Sequence, residues 1–320
     1  MIFILFIFSF IVAFILFPYH IKCFVRRKIT GKDMHKKGKR MVPEMGGMVI
    51  VFSFSSGIVL LTGWKTFLQK DLPVDTSSLL SVLSVVLIIG LIGVMDDFLN
   101  IRQRVKAILP IFAALPLSAI KAGTPTMSLP FVGQVYFGIF YPLLLVPIGV
   151  TGASNAWNML AGFNGLEVGM GIVAMIFLSV VAYLVGSTTA LYILAIALGT
   201  LSATLYYNWY PAKVFIGDAG TLSIGAIIAC CVILGNFEKA GVIIVIPHIV
   251  DFLIKAIHRF PSKGWWGLYK NGKLHCPNNS PVGLCQLIMK IFKGISEKNL
   301  VLLLMGIETI FGAVAVLVYL

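Results

Sequence analysis

Charged residues are scarce in this chain of 320 residues: Asp, Glu, Lys and Arg make up only 12% of it, whereas hydrophobic residues make up 59%. Soluble domains average about 25% charged residues, so the composition excludes an ordinary water-soluble fold and indicates a membrane protein. A net charge of +13 could suggest nucleic-acid binding, but the apolar excess argues against it. The positive charge instead suits anionic lipid headgroups and phosphate-bearing substrates.

Cysteine is also scarce, and the first apolar run does not have the charge pattern of a secretory signal. The five cysteines are scattered and form no CxxC pair, which excludes a disulfide framework. His275, Cys276 and Cys285 lack an evident fourth ligand, so a structural zinc site is not favoured. The first apolar run, 1–17, is not preceded by basic residues. This order is the reverse of a secretory signal and predicts a permanent first membrane span.

Long apolar runs dominate what is present. A helix needs about 20 mainly apolar residues to cross a bilayer, and ten such segments can be identified. They are 1–22, 44–63, 78–95, 107–122, 134–152, 168–186, 189–207, 219–235, 239–257 and 299–319. The predicted fold is therefore an all-α polytopic membrane protein, a single domain over 1–320 with ten transmembrane helices.

The basic residues predict how these helices are oriented. Of the 25 lysines and arginines, 21 fall in the odd-numbered loops, which places those loops in the cytosol and both termini outside. The cytosolic loops are about 23–43, 96–106, 153–167, 208–218 and 258–298. Most acids and amides outside the spans lie on this same face. Pumps and channels more often have ionisable groups at mid-membrane depth, so the pattern favours an enzyme whose soluble substrate arrives from the cytosol.

Two adjacent carboxylates, Asp96 and Asp97, end the third apolar run. Buried like charges raise the pKa of one of them, which suits a general base, or they share a metal ion. The alternative is a helix end whose acids face water, and the spacing alone does not decide between the two.

Three amides interleaved with glycines follow in the segment NAWNMLAGFNGLE, 155–167. Asparagine offers both a donor and an acceptor, and glycine lets backbone approach a ligand closely, so the segment could form the wall of a nucleotide site. Because Asn-Gly is also a common turn signal, a turn-rich loop is the alternative.

Asp218 follows Gly217 at the start of the eighth apolar run, where it could cap a helix or bind magnesium. Asp96 and Asp97 on the same face favour the metal.

In the late basic loop, Arg259 could clamp a phosphate or sugar, although most such cations only satisfy the positive-inside rule. His248 and Asp251, one helical turn apart in the ninth run, could form a pair.

Taken together, these segments resemble the polyprenyl-phosphate N-acetylhexosamine-1-phosphate transferase family, over nearly the whole chain. The matching stretches are PEMGG at 43–47, DDFLNIRQRVK at 96–106, NMLAGFNGLE at 158–167 and NWYPAKVFIGD at 208–218. Within the family, LNIR, NWYP and the late ISEKNLVLLL resemble the branch that uses UDP-GlcNAc and dolichyl phosphate.

The resemblance implies roles for the polar residues of the cytosolic loops. Asp96 matches the acid proposed to deprotonate the lipid phosphate, and Asp97 supports the site or the metal. Lys106 matches the lysine that neutralises phosphate. Asn158 and Asp218 match ligands of a magnesium ion, for which manganese could substitute.

A second group is implied to contact the substrate. Asn164 matches the amide that reads uracil, and Phe215 matches the ring that stacks on it. Glu44 lies in the PEMGG match, and His258 and Arg259 match a loop pair near the sugar and phosphates. The loop 258–298 holds only two histidines, His258 and His275, whereas bacterial branches have a histidine-rich motif, so this loop leaves the sugar open.

The resemblance thus implies transfer of GlcNAc-1-phosphate from UDP-GlcNAc to polyprenyl phosphate in a cell membrane, or in the endoplasmic reticulum of a eukaryote. The partners are the two substrates and membrane lipids, without nucleic acid, and a homodimer is left open. UDP-GalNAc or a UDP-muramoyl peptide are alternative donors. A lipid-linked sugar transporter is the alternative of another class, but it predicts internal repeats and ionisable residues at the midplane, and few of either are seen.

Overall fold

The structure is a computed structural model that describes residues 1–36, 38, 40–69, 71–99, 101–129, 133–261, 264 and 266–320. Its helices are α1 Ile2–Arg26, α2 Gly47–Phe67, α3 Thr76–Leu99, α4 Gln103–Ile108, α5 Pro110–Ala113, α6 Leu115–Ala119, α7 Val146–Met159, α8 Leu166–Leu184, α9 Thr188–Asn208, α10 Gly217–Gly235, α11 Glu238–Ile244, α12 Ile246–Ile257, α13 Leu284–Ile291 and α14 Glu297–Leu317. A π-helical turn, Tyr141–Leu145, leads directly into α7, and a short 3-10 turn spans Pro277–Asn279.

Three small antiparallel hairpins interrupt the helices. Their strands are β1 Thr30–Lys32 with β2 Met41–Pro43, β3 Thr126–Leu129 with β4 Gly133–Tyr136, and β5 Leu268–Lys270 with β6 Lys273–His275. The molecule is therefore mostly helical. Six residues of the predicted loops lie outside the described residues: Lys37, Lys39, Lys70, Asn100, Lys263 and Trp265.

Seven helices in the described part of the chain are long and apolar enough to cross a membrane, namely α1, α2, α3, α8, α9, α10 and α14. Each coincides with a predicted span. The predicted span 239–257 forms α11 and α12, which are bent by 54° at their junction and would count as an eighth crossing. A polytopic membrane fold is confirmed, and the number of ten spans stays a prediction.

The two remaining predicted spans differ from single straight helices. The segment 107–122 is divided among α4, α5 and α6, with breaks at Pro110 and close to Pro116, because proline lacks the N–H that continues a helix. The segment 134–152 begins in the β3–β4 hairpin and is helical only from Tyr141.

Helix α10 lies at the centre of the bundle and packs against α3, α7, α2 and α9. Two glycines let its first turn approach its neighbours. A Cβ atom at Gly93 would lie 2.3 Å from Ala219 Cα, and one at Gly47 would lie 2.0 Å from the Gly220 backbone nitrogen. The starts of α2 and α10 therefore meet the end of α3, which brings Asp218 beside the two acids of α3.

Candidate active site

Three carboxylates and one lysine meet where α3 ends and α10 begins. The Nζ atom of Lys106 lies 2.6 Å from Asp96 Oδ2 and 2.6 Å from Asp218 Oδ2. The Asp218 backbone N–H donates to Asp97 Oδ1 over 3.0 Å. Asp97 Oδ2 is buried and has no hydrogen-bond partner among the described residues. The four residues therefore form one charged cluster with an oxygen atom left over for a further ligand.

The local sequence explains how Lys106 reaches these acids. Asp96 Oδ1 accepts a hydrogen bond of 2.8 Å from the backbone N–H of Ile101, which turns the chain after α3 and directs α4 back towards it. Burial would lower the pKa of Lys106, but the attraction and hydrogen bonds of Asp218 and Asp96 outweigh burial and raise that pKa above its usual value. Lys106 is therefore a permanent cation in the cluster.

Glu44 lies near this cluster, in the loop that connects β2 to α2. Burial, together with the charge of Asp97, raises the pKa of the Glu44 carboxyl above its usual value. The loop is held by the backbone of the NWYPAKVFIGD segment, because the Gly46 N–H donates to the Phe215 carbonyl over 2.8 Å and the Phe215 N–H donates to the Pro43 carbonyl over 2.8 Å. Glu44 and Phe215 are thus fixed relative to each other.

The predicted metal ligands Asn158 and Asp218 come from α7 and α10, which pack together. The Thr221 hydroxyl, one turn after Asp218, donates to Asn158 Oδ1 over 3.2 Å. This contact holds the end of α7 against the first turn of α10, so the amide and the carboxylate face the same space.

A single cavity of about 1590 Å³ contains most of the predicted site. Seven of the ten predicted residues line it: Glu44, Lys106, Asn158, Asn164, Phe215, Asp218 and Arg259. A neighbouring cavity of about 440 Å³ is lined by the other two acids, Asp96 and Asp97, and shares Glu44, Lys106, Phe215 and Asp218 with the first.

Part of the lining of the same cavity is apolar. Residues of α7, α11 and α12 contribute to it, among them Ile148, Val242 and Ile249. Tyr141 and Asn158 both line the cavity and belong to one continuous helical stretch, so at a rise of 1.5 Å per residue they lie about 26 Å apart. This length is close to the thickness of a bilayer's hydrocarbon core, about 30 Å. The cavity can therefore hold a polar head and a long apolar chain together.

The predicted pair in the late basic loop is His258 and Arg259, and only one of the two lines the cavity. Arg259 lines the cavity. The ring of His258 is exposed and lies with Nδ1 2.8 Å from the Ile254 carbonyl of its own helix. His258 is not among the residues that line the cavity, and its contact with substrate stays a prediction.

The interpretation of His248 and Asp251 as a pair is wrong. The ring of His248 stacks on Trp157, with 3.9 Å between ring centroids. Asp251 Oδ2 instead lies 2.7 Å from Lys255 Nζ, and Asp251 Oδ1 accepts from the Leu284 backbone N–H over 2.8 Å. A lysine one turn further along the helix is the stronger partner for a carboxylate, because hydrogen bonds between charged groups are the stronger ones.

A buried network that sequence reasoning missed supports Asn164. Glu297 Oε1 accepts from the Asn164 backbone N–H over 2.8 Å, and Asn164 Nδ2 donates to Asp33 Oδ2 over 3.1 Å. Lys36 forms ion pairs with both Asp33 and Glu297. One signal could have pointed to it: Asp33 is the only acid in the basic loop 23–43.

The chain matches known proteins over the region that contains most of the predicted site residues. The model of glycosyl transferase family 4 matches residues 79–236, a stretch that contains seven of the ten predicted site residues: Asp96, Asp97, Lys106, Asn158, Asn164, Phe215 and Asp218. A protein of Saccharolobus solfataricus, described as a UDP-N-acetylglucosamine–dolichyl-phosphate N-acetylglucosaminephosphotransferase, is 36% identical over 316 residues, which cover 97% of this chain and 94% of that protein.

Two more distant relatives come from a eukaryote and a bacterium. The UDP-N-acetylglucosamine–dolichyl-phosphate N-acetylglucosaminephosphotransferase of Dictyostelium discoideum is 31% identical over 263 residues, covering 70% of this chain and 64% of that protein. The phospho-N-acetylmuramoyl-pentapeptide-transferase of Streptococcus mutans is 31% identical over 267 residues, covering 77% of this chain and 76% of that protein.

Proposed function

Because the chain belongs to glycosyl transferase family 4, we propose that it transfers GlcNAc-1-phosphate from UDP-GlcNAc to a polyprenyl (dolichyl-type) phosphate and releases UMP. The names of the relatives from Saccharolobus solfataricus and Dictyostelium discoideum state this donor and this acceptor. One observation carries the proposal: a single cavity is lined both by charged and amide side chains and by apolar residues, and it extends about 26 Å along α7 and the π-helical turn before it, close to the thickness of a bilayer's hydrocarbon core.

The reaction is a phosphoryl transfer between two anions. An oxygen of the lipid phosphate attacks the β-phosphorus of the UDP-sugar, and a new P–O bond forms there. The bond from the β-phosphorus to the oxygen that bridges to the α-phosphate breaks, and UMP leaves with that electron pair. Such chemistry needs mainly positioning and charge stabilisation.

The described residues can supply both needs. Lys106, held between Asp96 and Asp218 at 2.6 Å from each, would offset the charge of the two phosphates. Asp96 would accept the proton of a lipid phosphate that arrives protonated, and Asp97 would keep the first turn of α10 in place through its bond to the Asp218 N–H. Arg259, which lines the same cavity, would bind phosphate or sugar.

The donor atoms also fit a magnesium ion. Carboxylate and amide oxygens are the ligands that Mg²⁺ prefers, and the unpartnered Asp97 Oδ2 lies in the same cluster. Asp218 and Asn158 would hold the ion, with Asp97 beside them. When bound, Mg²⁺ would supply positive charge to the diphosphate and its leaving UMP.

Phe215 is proposed to stack on uracil, so Phe215→Ala should weaken binding of UMP. Stacking of a base on an aromatic side chain is worth about 1–3 kcal/mol by alanine substitution, which corresponds to a dissociation constant about 5- to 150-fold higher. Isothermal titration of the purified protein measures it. Phe67→Ala, at an exposed site at the end of α2, is the matched control and should bind as the wild type does. An unchanged affinity in Phe215→Ala would remove Phe215 from the base site.

The proposed arrangement in the membrane has ten spans, both termini outside and the active site on the cytosolic face. It is supported by the positions of 21 of the 25 basic residues in odd-numbered loops. In a Cys23→Ser background, a membrane-impermeant maleimide added to intact cells should label Asp71→Cys, in the second loop, and leave Arg102→Cys, in the third loop, unlabelled until the cells are opened. The opposite pattern would invert the topology.

Donor choice is the direct test of the proposed function. Purified protein is given polyprenyl phosphate and, in separate reactions, UDP-GlcNAc, UDP-GalNAc or UDP-N-acetylmuramoyl pentapeptide, and UMP release is followed. Release from UDP-GlcNAc alone is expected. The similarity to the muramoyl-pentapeptide transferase of Streptococcus mutans makes the third donor the specific competitor, and a preference for it would replace the proposed sugar.

A further inference from the structure

The side-chain amide of Asn164 has a defined orientation in the cavity. An ionised carboxylate only accepts hydrogen bonds, so the NH₂ group of Asn164 must be the end that faces Asp33, at 3.1 Å. The backbone N–H of Asn164 is held separately by Glu297. Among the residues that the structure describes, none donates to Asn164 Oδ1. The carbonyl oxygen is therefore the end left for a ligand in the cavity, which Asn164 lines.

Asp33 is itself fixed on several sides. Lys36 pairs with Asp33 and lies 3.4 Å from Glu297 Oε2, so one ammonium group compensates both buried carboxylates. The Lys36 Nζ atom also lies over the ring of Tyr210, 4.6 Å from its centroid. Asp33 is 2% exposed, so water does not compete for its oxygens. The acceptor that orients Asn164 is thus buried and charge-balanced.

Uracil and cytosine differ at the atom that such an amide would meet. Uracil carries a hydrogen on ring nitrogen N3, flanked by two carbonyl oxygens, whereas cytosine N3 carries a lone pair and has an amino group beside it. A carbonyl oxygen opposite N3 accepts from uracil and faces a lone pair in cytosine. A site built to bond one partner rejects the analogue that lacks it, because buried polar groups are then left unpaired.

We infer that Asp33 is a positioning residue that sets the nucleobase specificity of the site: it holds the Asn164 amide with Oδ1 towards the cavity, where Oδ1 accepts from N3–H of uracil and discriminates against cytosine. This inference rests on the proposed function and on the match of Asn164 to the family's uracil-reading amide, and its new element is the part that Asp33 plays. Asp33 acts through Asn164 and does not touch the base.

The test compares the affinities of UMP and CMP for the purified full-length protein by isothermal titration. We expect the wild type to bind UMP at least about tenfold more tightly than CMP. Asp33→Leu keeps the approximate side-chain size but removes the acceptor, so the Asn164 amide can turn over, and the UMP:CMP ratio should fall about tenfold, towards one. Asp33→Glu retains a carboxylate and should retain most of the preference.

Asp71→Leu makes the same chemical change at an exposed position of the second loop and is the matched control, so its UMP:CMP ratio should equal the wild-type value. Asp33→Glu is the control for a purely structural role, because it alters the packing around Asp33 but keeps an acceptor. A ratio unchanged in Asp33→Leu, or reduced as strongly in Asp33→Glu, would overturn the inference.

A second measurement needs no variant and applies even where Asp33→Leu fails to fold. UMP methylated at N3 has lost the donor, so the wild type should bind it at least about tenfold more weakly than UMP, and equal binding would overturn the inference. Absence of GlcNAc transfer by a protein that prefers UMP would contradict the proposed function alone. Transfer by a protein whose Asp33→Leu variant keeps the wild-type ratio would contradict this inference alone.

Discussion

Asp218→Asn is expected to lower the turnover of sugar-phosphate transfer by about 10²–10³-fold while the protein stays folded. Loss of one preorganised electrostatic group at a transition state typically costs this much. Asp218 contacts Lys106 at 2.6 Å and lines both cavities of the site. The substitution keeps the size of the side chain and removes its charge, so both the position of Lys106 and the proposed metal ligand are affected.

The measurement is the initial rate of UMP release at saturating UDP-GlcNAc, with thermal melting to check the fold. Asp71→Asn makes the same chemical change at an exposed position of the second loop and is expected to leave the rate unchanged. If Asp218→Asn were as active as Asp71→Asn, Asp218 would have no part in the reaction.

Removal of divalent metal is expected to have the second large effect. Incubation with EDTA should reduce transfer to background, because Lys106 would then be the one cation in the cluster to balance the phosphate groups beside Asp96, Asp97 and Asp218. Repulsion between the substrates and these carboxylates would then oppose binding as well as reaction.

Magnesium added in excess of EDTA should restore the rate, and manganese should restore it at least in part, because both are hard cations with oxygen ligands. Sodium chloride at equal ionic strength is the control for screening of the many basic residues. Full activity in EDTA would show that the carboxylates serve another purpose than metal binding.

The membrane fold could be predicted from sequence because the signal is local. Seven apolar runs of bilayer length form single helices such as α3 and α10. A run of about 20 apolar residues prefers lipid whatever it packs against, so the sequence alone predicts such a span. The segment 107–122 is less regular, because Pro110 and Pro116 interrupt its backbone hydrogen bonds.

The charged cluster could be anticipated only as a set of residue types. The sequence predicts that Asp96, Lys106 and Asp218 lie on one membrane face, but the 2.6 Å contacts depend on the close approach of α10 at Gly47 and Gly93. Nothing local to any of these segments encodes that distance.

The network around Asn164 could not be predicted, because its members come from distant parts of the chain. Asp33 follows β1, Asn164 precedes α8 and Glu297 begins α14. Only the pair of Asp33 with Lys36 is local in sequence, and neither residue identifies Asn164 or Glu297 as a partner. The error with His248 has a related cause: helical spacing brought Asp251 near, but Lys255 and Trp157 were better partners for the two residues.

The most direct test of the account is transfer of radiolabel from UDP-[³H]GlcNAc to a polyprenyl phosphate by the purified protein, with and without magnesium. The account predicts magnesium-dependent label in the lipid fraction, one UMP released for each sugar transferred, and background label with Asp218→Asn. Absence of labelled lipid, from a folded protein that binds UMP and is supplied with magnesium and acceptor, would contradict it.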